Sequence, residues 1–188
     1  MDKLVLDIET SNSFADVGGE RNLRDLKVSF IGIYSYNKNE YFGFHEKDIL
    51  SAGEFLQRAG LIIGFAINRF DIPVLEKYFP FSMRSIPRLD LLEEVELVTG
   101  KRIGLNVLAK TNLGLEKTHA SGLEAITLFR EGKFAELGAY CLNDVKLTKD
   151  LYELAKKQGH LLFPDRVSGA ITKAHLNFQE LDLPATLF

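Results

Sequence analysis

The sequence predicts an α/β fold with three layers, in which a mixed central sheet is flanked by helices. Three observations predict it: strand-like alternation near the N-terminus, a buried apolar run typical of a parallel strand, and a long stretch of helical periodicity. The chain has 188 residues, of which 46% are hydrophobic and 26% charged. These are ordinary values for a globular protein of a size that forms one good core.

Five segments have the apolar content and length of strands: 4–8, 27–36, 40–45, 61–65 and 85–89. The second and third are separated by a turn at Asn37-Lys38-Asn39, which predicts an antiparallel hairpin. The fourth and fifth resemble buried parallel strands. We therefore expect the first strand at the centre, with the hairpin on one side and the parallel strands on the other. Residues 11–25 are polar and predict a loop.

Helical periodicity or composition follows at 47–59, at 72–78, from residue 91 onward with breaks at glycines, and at 133–157. Gly159 is expected to end the last and longest helix. Residues 1–158 are therefore interpreted as one domain. Residues 159–188 are interpreted as a short C-terminal extension packed on it.

Composition excludes several classes of protein. Cys141 is the only cysteine, so neither an intramolecular disulfide nor a cysteine-based zinc site is expected. No apolar run reaches the length of a signal sequence or a membrane span, which predicts a soluble cytoplasmic protein. The net charge of −3 predicts no global positive field, although local Lys and Arg patches can still bind nucleic acid.

Two carboxylates interrupt the first strand. Asp7 and Glu9 are two residues apart, so their side chains point to the same face. Like charges on one face repel, and a divalent cation would remove the repulsion because hard cations take carboxylate oxygens as ligands. The alternative is that one carboxylate caps the following loop and the other is a surface charge on an edge strand.

A second acidic position follows the fourth predicted strand. The segment Asn68-Arg69-Phe70-Asp71 precedes a helix with Pro73 in its first turn, so Asp71 is expected near the helix N-terminus. The alternative is that Asp71 only caps this helix and that Asn68 is only a turn residue.

A third pair lies within the longest predicted helix. Tyr140 and Asp144 are four residues apart and share one helical face, so the hydroxyl and the carboxylate can meet at one site. Aspartate is disfavoured in helix interiors, which indicates a use other than stability. The alternative is that Tyr140 is a half-buried aromatic residue and that Asp144 pairs with Lys146 or Lys149.

Together, these features bring four carboxylates towards one end of the first strand. Asp7, Glu9, Asp71 and Asp144 cannot stay ionised and close together without cations, which predicts a site for two divalent ions, Mg²⁺ or Mn²⁺. Two such ions can activate a water and stabilise the leaving oxygen of a phosphodiester. The Tyr140 hydroxyl would orient that water.

The ordered set of motifs resembles that of the DnaQ-like 3′–5′ exonucleases of the DEDD superfamily, which have a ribonuclease H-like fold. Asp7-Ile8-Glu9-Thr10 resembles the first motif, Asn68-Arg69-Phe70-Asp71 the second, and Tyr140-Cys141-Leu142-Asn143-Asp144 the third. The position of the tyrosine, four residues before the last aspartate, resembles the third motif of the tyrosine (DEDDy) branch. The resemblance covers roughly residues 1–155.

The resemblance implies a role for each motif residue. Asp7, Glu9 and Asp144 would hold the ion that activates water, Asp7 would bridge to a second ion, and Asp71 would help to hold that second ion. Residues implied to hold the 3′-terminal nucleotide are Ile8, Thr10, Asn68, Arg69 and Phe70. Candidate phosphate contacts are Arg69, Arg84, Arg88, Lys101, Arg102, Lys110 and Lys117.

The implied activity is metal-dependent 3′–5′ exonuclease cleavage of single-stranded nucleic acid, with DNA favoured over RNA and a helicase or polymerase as a candidate partner. Residue types alone do not decide between DNA and RNA as the substrate, because that preference depends on contacts with the 2′-OH. Two alternatives stay open: a non-catalytic module that binds nucleic-acid ends for such a partner, and a phosphohydrolase of small nucleotides.

Overall fold

The computed structural model describes residues 1–115, 122–165 and 168–178. Five strands form its main sheet: β1 (Asp2–Thr10), β2 (Val28–Ser35), β3 (Glu40–His45), β4 (Ala59–Gly64) and β5 (Arg88–Asp90). Their order across the sheet is β3-β2-β1-β4-β5. The first three strands pair antiparallel, and β4 and β5 run parallel to β1. The mixed sheet with a central first strand is therefore confirmed.

In the part of the chain that the structure describes, six α-helices flank or extend this sheet: α1 (Ile49–Gln57), α2 (Asp71–Leu75), α3 (Leu91–Thr99), α4 (Leu105–Leu113), α5 (Gly122–Arg130) and α6 (Phe134–Gln158). A separate two-stranded sheet follows, formed by β6 (His160–Pro164) and β7 (Ile171–His175). None of the helices in the described residues is long and apolar enough to cross a membrane.

The two faces of β1 belong to different layers. Leu4, Leu6 and Ile8 pack into a core with residues of α1 and α2. Val5 points the other way and packs into a second core that includes Val145 of α6. Because side chains alternate along a strand, Asp7 and Glu9 lie on the same face as Val5, beneath α6.

Several elements differ in length from the sequence-based prediction. The helix expected at 72–78 is α2, which ends at Leu75, and Tyr78 turns back so that its hydroxyl accepts a hydrogen bond from Val28 N at 2.9 Å. The strand expected at 85–89 begins only at Arg88, because a 3₁₀ turn occupies Met83–Ser85. The loop expected at 11–25 contains a 3₁₀ segment at Glu20–Asp25.

The β6–β7 hairpin packs on the helical side of the fold, next to α4. Leu161 and Phe163 share a core with residues of α3, α4 and α6. The Asn112 side chain holds the two elements together, because Nδ2 donates to Leu162 O and Oδ1 accepts from Leu162 N, both at 2.7 Å. The domain division at residue 158 stays a prediction. Residues 166–167 and 179–188 of the expected extension lie outside the described residues.

The glycine at position 32 allows α6 to lie close to the sheet. Gly32 pairs with Asp7 across β1 and β2. A Cβ built on Gly32 would lie 2.9 Å from both Cys141 Sγ and Val145 Cγ2 of α6, a distance that requires one of them to move. A side chain at this position would therefore push away the helix that carries Tyr140 and Asp144.

We expect Gly32→Ala to lower the free energy of unfolding by about 1–3 kcal/mol, the usual cost of overpacking a close-packed interior. Urea denaturation measures it. The matched control is Gly104→Ala, because a Cβ there would meet nothing within 4 Å and the φ of −71° suits alanine. Equal stability of the two variants would show that the position of α6 does not require a glycine at residue 32.

Candidate active site

The C-terminal end of β1 carries the first two predicted site residues. Asp7 pairs with Gly32 and Glu9 with Phe30, both on the face covered by α6. Glu9 is 8% exposed, and Asp7 is partly buried. The alternative that one of these two carboxylates is a surface charge on an edge strand is wrong, because β1 lies at the centre of the sheet.

Asp71 joins this end of β1 through a direct hydrogen bond. It is the first residue of α2, and its Oδ1 accepts a hydrogen bond from Ile8 N at 3.0 Å. The helix-capping alternative is wrong, because the N-cap position of α2 belongs to Phe70. Only 3% of Asp71 is exposed. One carboxylate oxygen is therefore engaged by the strand, which leaves Oδ2 to contact a further group.

Burial makes the charged form of Asp71 costly. Desolvation raises the pKa of its carboxyl group from 3.8 to about 7. The hydrogen bonds from its own backbone and from Ile8 N oppose this rise, and the charge of Asp90 adds to it. Between about pH 4 and pH 7 the folded, metal-free protein therefore holds a proton that the unfolded chain has lost.

The free energy of unfolding of the metal-free protein should fall as pH rises through this window. The reason is that an aspartate whose pKa is raised by folding is stabilising only while it stays protonated. Asp71→Asn keeps an acceptor for Ile8 N and removes the titration. We expect wild type to lose more stability than this variant between pH 5 and pH 8, measured by urea denaturation in EDTA. Parallel pH dependence of the two proteins would contradict the assignment.

Helix α6 brings the third motif over the same strand end. Tyr140 is 4% exposed and Asp144 is 5% exposed, so both are buried. Tyr140 shares a small core with Phe30 of β2, so the alternative that it is a half-buried aromatic residue is wrong. The two lysines proposed as alternative partners of Asp144 have carboxylate partners of their own: Lys146 pairs with Asp150 at 2.7 Å and Lys149 pairs with Glu153 at 2.9 Å.

Cys141 is a site neighbour that the sequence reasoning missed. Its thiol lies 3.3 Å from Asp7 Oδ2 and 3.4 Å from Asp7 O and donates to them. Burial raises the pKa of this thiol well above its ordinary value, and the charges of Asp7, Glu9 and Asp144 add to the rise. The thiol therefore stays protonated and orients the Asp7 carboxylate. The helical period could have predicted this position, since Cys141 is three residues before Asp144 and lies on the same helical face.

The loop between β4 and α2, which positions Asp71, is held by Asp90. This buried carboxylate accepts hydrogen bonds from Ala66 N at 2.8 Å and from Asn68 N at 3.0 Å. It also caps α3 by accepting from Leu92 N at 3.1 Å. Burial raises the pKa of Asp90 despite these bonds.

Two of the residues implied to bind substrate are engaged within the protein. Asn68 Nδ2 donates to Glu93 Oε2 at 2.6 Å, and Asn68 Oδ1 accepts from Arg88 Nε at 2.8 Å. Arg69 forms ion pairs with Glu96 at 2.7 Å and with Glu93 at 3.7 Å. Both side chains therefore stiffen the loop that leads into Asp71.

Two clefts open beside the carboxylates. One has a volume of about 430 Å³, and its lining includes Asp7, Ile8, Arg69, Phe70 and Asp71. The other has a volume of about 270 Å³ and a mainly apolar lining that includes Glu9, Thr10 and Phe70. Asn68 is not among the residues that line either cleft.

Phe70 and Phe14 border both clefts and separate them. Their rings meet edge to face, with centroids 5.8 Å apart. Together with the carboxylates, they make a site with a polar compartment on one side and an apolar one on the other.

The donor set suits a hard divalent cation. Within the described residues, ligand atoms of Asp7, Glu9 and Cys141 lie within 4.8 Å of one another. A hard cation takes the carboxylate oxygens, whereas a protonated thiol is a poor ligand for it. The orientation of Asp7 by Cys141 and of Asp71 by Ile8 N matches the outer hydrogen bonds that usually support metal ligands.

No curated protein matches the sequence. Among solved structures, the family B DNA polymerase from the hyperthermophilic archaeon Pyrobaculum calidifontis is similar, with a TM-score of 0.63 and 20% sequence identity. The match covers 82% of this chain but only 24% of the polymerase chain, so it reflects a shared fold over about a quarter of that protein.

The family comparison covers most of the chain. The model of the RNase H superfamily matches residues 4–156, a range that includes α2, most of β1 and α6, and the four carboxylates Asp7, Glu9, Asp71 and Asp144. The mixed sheet with its flanking helices is the α/β architecture expected of that superfamily. The chain belongs to the RNase H superfamily.

Proposed function

We propose that the protein is a metal-dependent 3′–5′ exonuclease of the tyrosine branch, which removes nucleoside 5′-monophosphates from single-stranded nucleic acid, with DNA favoured over RNA. The observation that carries the proposal is the meeting of three separate elements at one end of β1. Asp7 and Glu9 come from the strand, Asp71 from α2 through its bond to Ile8 N, and Asp144 from the buried face of α6.

The four carboxylates are the proposed metal ligands. Two Mg²⁺ or Mn²⁺ ions held by Asp7, Glu9, Asp71 and Asp144 would supply Lewis acidity to the attacking water and to the leaving oxygen. Fold stability alone gives no reason to gather four carboxylates here, since removing charged groups from water is costly and like charges repel.

The remaining residues of the site would position the reacting groups. The Tyr140 hydroxyl orients the water that attacks the terminal phosphorus, and the bond between phosphorus and the 3′ oxygen of the preceding nucleotide breaks. That 3′ oxygen takes up a proton and becomes the new 3′ end. The apolar cleft beside Glu9 and Thr10 would receive the terminal nucleoside, with Phe70 at its edge.

Residues 1–158 would form the catalytic domain, and residues 159–188 would be an extension of it. The similarity to the polymerase concerns the fold alone. We also propose that a helicase or a polymerase is a partner of this protein.

Cleavage of a single-stranded oligonucleotide labelled at its 5′ end tests the function, with DNA and RNA versions compared in Mn²⁺, Mg²⁺ and EDTA. A ladder that shortens from the 3′ end only when a divalent ion is present supports the proposal. A single labelled nucleotide released at once would indicate the opposite polarity. Absence of cleavage together with metal-dependent hydrolysis of small nucleotides would contradict the exonuclease and indicate a phosphohydrolase.

A further inference from the structure

Arg102 lies on the loop that joins α3 to α4, at the edge of the larger cleft. The loop runs from Gly100, which ends α3 in the left-handed conformation, to Gly104, which precedes α4. Arg102 is exposed, and it lines the same cleft as Asp7 and Asp71. The cleft that contains the carboxylates therefore also has a cationic side chain, which lies at its exposed edge.

The neighbours of Arg102 anchor this loop on both sides. Lys101 forms an ion pair with Asp165, which follows β6, and its ammonium lies 5.8 Å from the centre of the Phe163 ring. Ile103 is buried in the core shared by α3, α4, α6 and the β6–β7 hairpin. The backbone at Arg102 is held in place before any ligand arrives, so binding loses little backbone entropy.

Two of the other candidate phosphate contacts are already engaged within the protein. Arg69 is held by Glu93 and Glu96. Arg88 donates to three backbone carbonyls and to Asn68. Within the described residues, Arg102 has no carboxylate partner, so its guanidinium is available to an anion. Of the other candidate phosphate contacts, Lys117 lies outside the described residues.

We propose that Arg102 binds a backbone phosphate of the nucleic-acid strand upstream of the scissile bond, and that the β6–β7 hairpin braces it through the Lys101–Asp165 pair. The inference rests on the proposed function. A guanidinium suits this role because its planar donors match the two free oxygens of a phosphodiester. The scissile phosphate itself belongs at the buried carboxylates, and Arg102 lies exposed at the cleft edge.

Two substrates separate this contact from the chemistry. The first is a short 5′-fluorescein-labelled oligothymidylate, bound in Ca²⁺ and followed by fluorescence anisotropy over a range of salt. The second is thymidine 5′-(p-nitrophenyl phosphate), which carries one phosphodiester and no upstream phosphate. The matched control for Arg102→Ala is Arg58→Ala, since Arg58 is exposed and lies at the opposite end of β4 from the site.

Arg102→Ala should weaken oligonucleotide binding about tenfold, as expected for one charge-assisted phosphate contact. The slope of log affinity against log salt should become shallower by about 0.7, the value for one phosphate on a single strand. Hydrolysis of the mononucleotide ester should stay unchanged. Asp165→Ala should weaken binding less, and it should have no further effect when Arg102 is already alanine.

Each contrary result has a distinct meaning. Binding by Arg102→Ala that equals binding by Arg58→Ala, while wild type binds and cleaves, would overturn the Arg102 assignment and leave the proposed function intact. An equal loss on the mononucleotide ester would move Arg102 to the scissile phosphate and also overturn the assignment. A wild-type protein that neither binds the oligonucleotide nor hydrolyses the ester would end both proposals.

Discussion

Asp7→Asn should abolish exonuclease cleavage while leaving the fold intact. Asp7 is a proposed ligand of both ions, so its loss removes several kcal/mol of charge stabilisation and lowers the rate by on the order of 10³-fold or more. The substitution is nearly isosteric and keeps an acceptor for the Cys141 thiol. The rate is measured on the 5′-labelled oligonucleotide in saturating Mn²⁺.

Stability distinguishes a catalytic role of Asp7 from a structural one. In EDTA, Asp7→Asn should be at least as stable as wild type, because it removes one of two like charges on the same strand face. The control is Asp2→Asn at the other end of β1, where the carboxylate accepts hydrogen bonds from Ser35 Oγ and Asn37 N. That variant should lose stability and keep its activity. A folded Asp7→Asn protein with wild-type turnover would refute the site assignment.

Tyr140→Phe should lower kcat by on the order of 10²-fold with little change in KM. In the proposed mechanism the hydroxyl positions the attacking water in the transition state, and loss of one such group usually has an effect of this size. Binding of the ground state should survive, because the ring stays in the core that it shares with Phe30 and Leu137. Steady-state kinetics over a range of substrate concentrations separates the two parameters.

The chain offers a matched control for this variant on the same helix. Tyr152 is also buried on α6, but its hydroxyl accepts from Lys3 Nζ at 3.2 Å, at the far end of β1. Tyr152→Phe should leave kcat unchanged. Equal kinetic effects of the two substitutions would indicate that Tyr140 acts through helix packing. An unchanged kcat in Tyr140→Phe would remove it from the mechanism.

Local patterns were sufficient to predict the elements that carry the site. Alternation and apolar runs indicated the strands, and the period of two placed Asp7 and Glu9 on one face before any fold was known. The period of the long helix did the same for Tyr140 and Asp144. Gly159 ends that helix in the left-handed conformation, as expected from its type.

Long-range contacts could not be predicted in the same way. The bond from Ile8 N to Asp71 joins residues 63 positions apart, and the bond from Ala66 N to Asp90 joins residues 24 apart. No local periodicity encodes these pairs. The early end of α2 also involves a long-range contact, because the Tyr78 hydroxyl accepts a hydrogen bond from Val28 N on β2.

Arg102 shows a second kind of limit. In the sequence, seven Lys and Arg residues were equal candidates for a phosphate contact, since each could equally be an ordinary surface charge. Only the folded protein shows that Arg69 is held by Glu96 while Arg102 faces the cleft without a carboxylate partner in the described residues. Availability of a charge is a property of its surroundings, which residue type does not encode.

Titration of the metal-free protein with Mn²⁺, in the presence of thymidine 5′-monophosphate, tests most directly whether the carboxylates form a metal site. Isothermal calorimetry or electron paramagnetic resonance gives the number of bound ions. We expect about two ions per chain, as in other two-metal sites, and loss of this binding in Asp7→Asn. Wild-type protein that binds no Mn²⁺, or Asp7→Asn protein that binds it equally well, would contradict the metal site on which the proposed function depends.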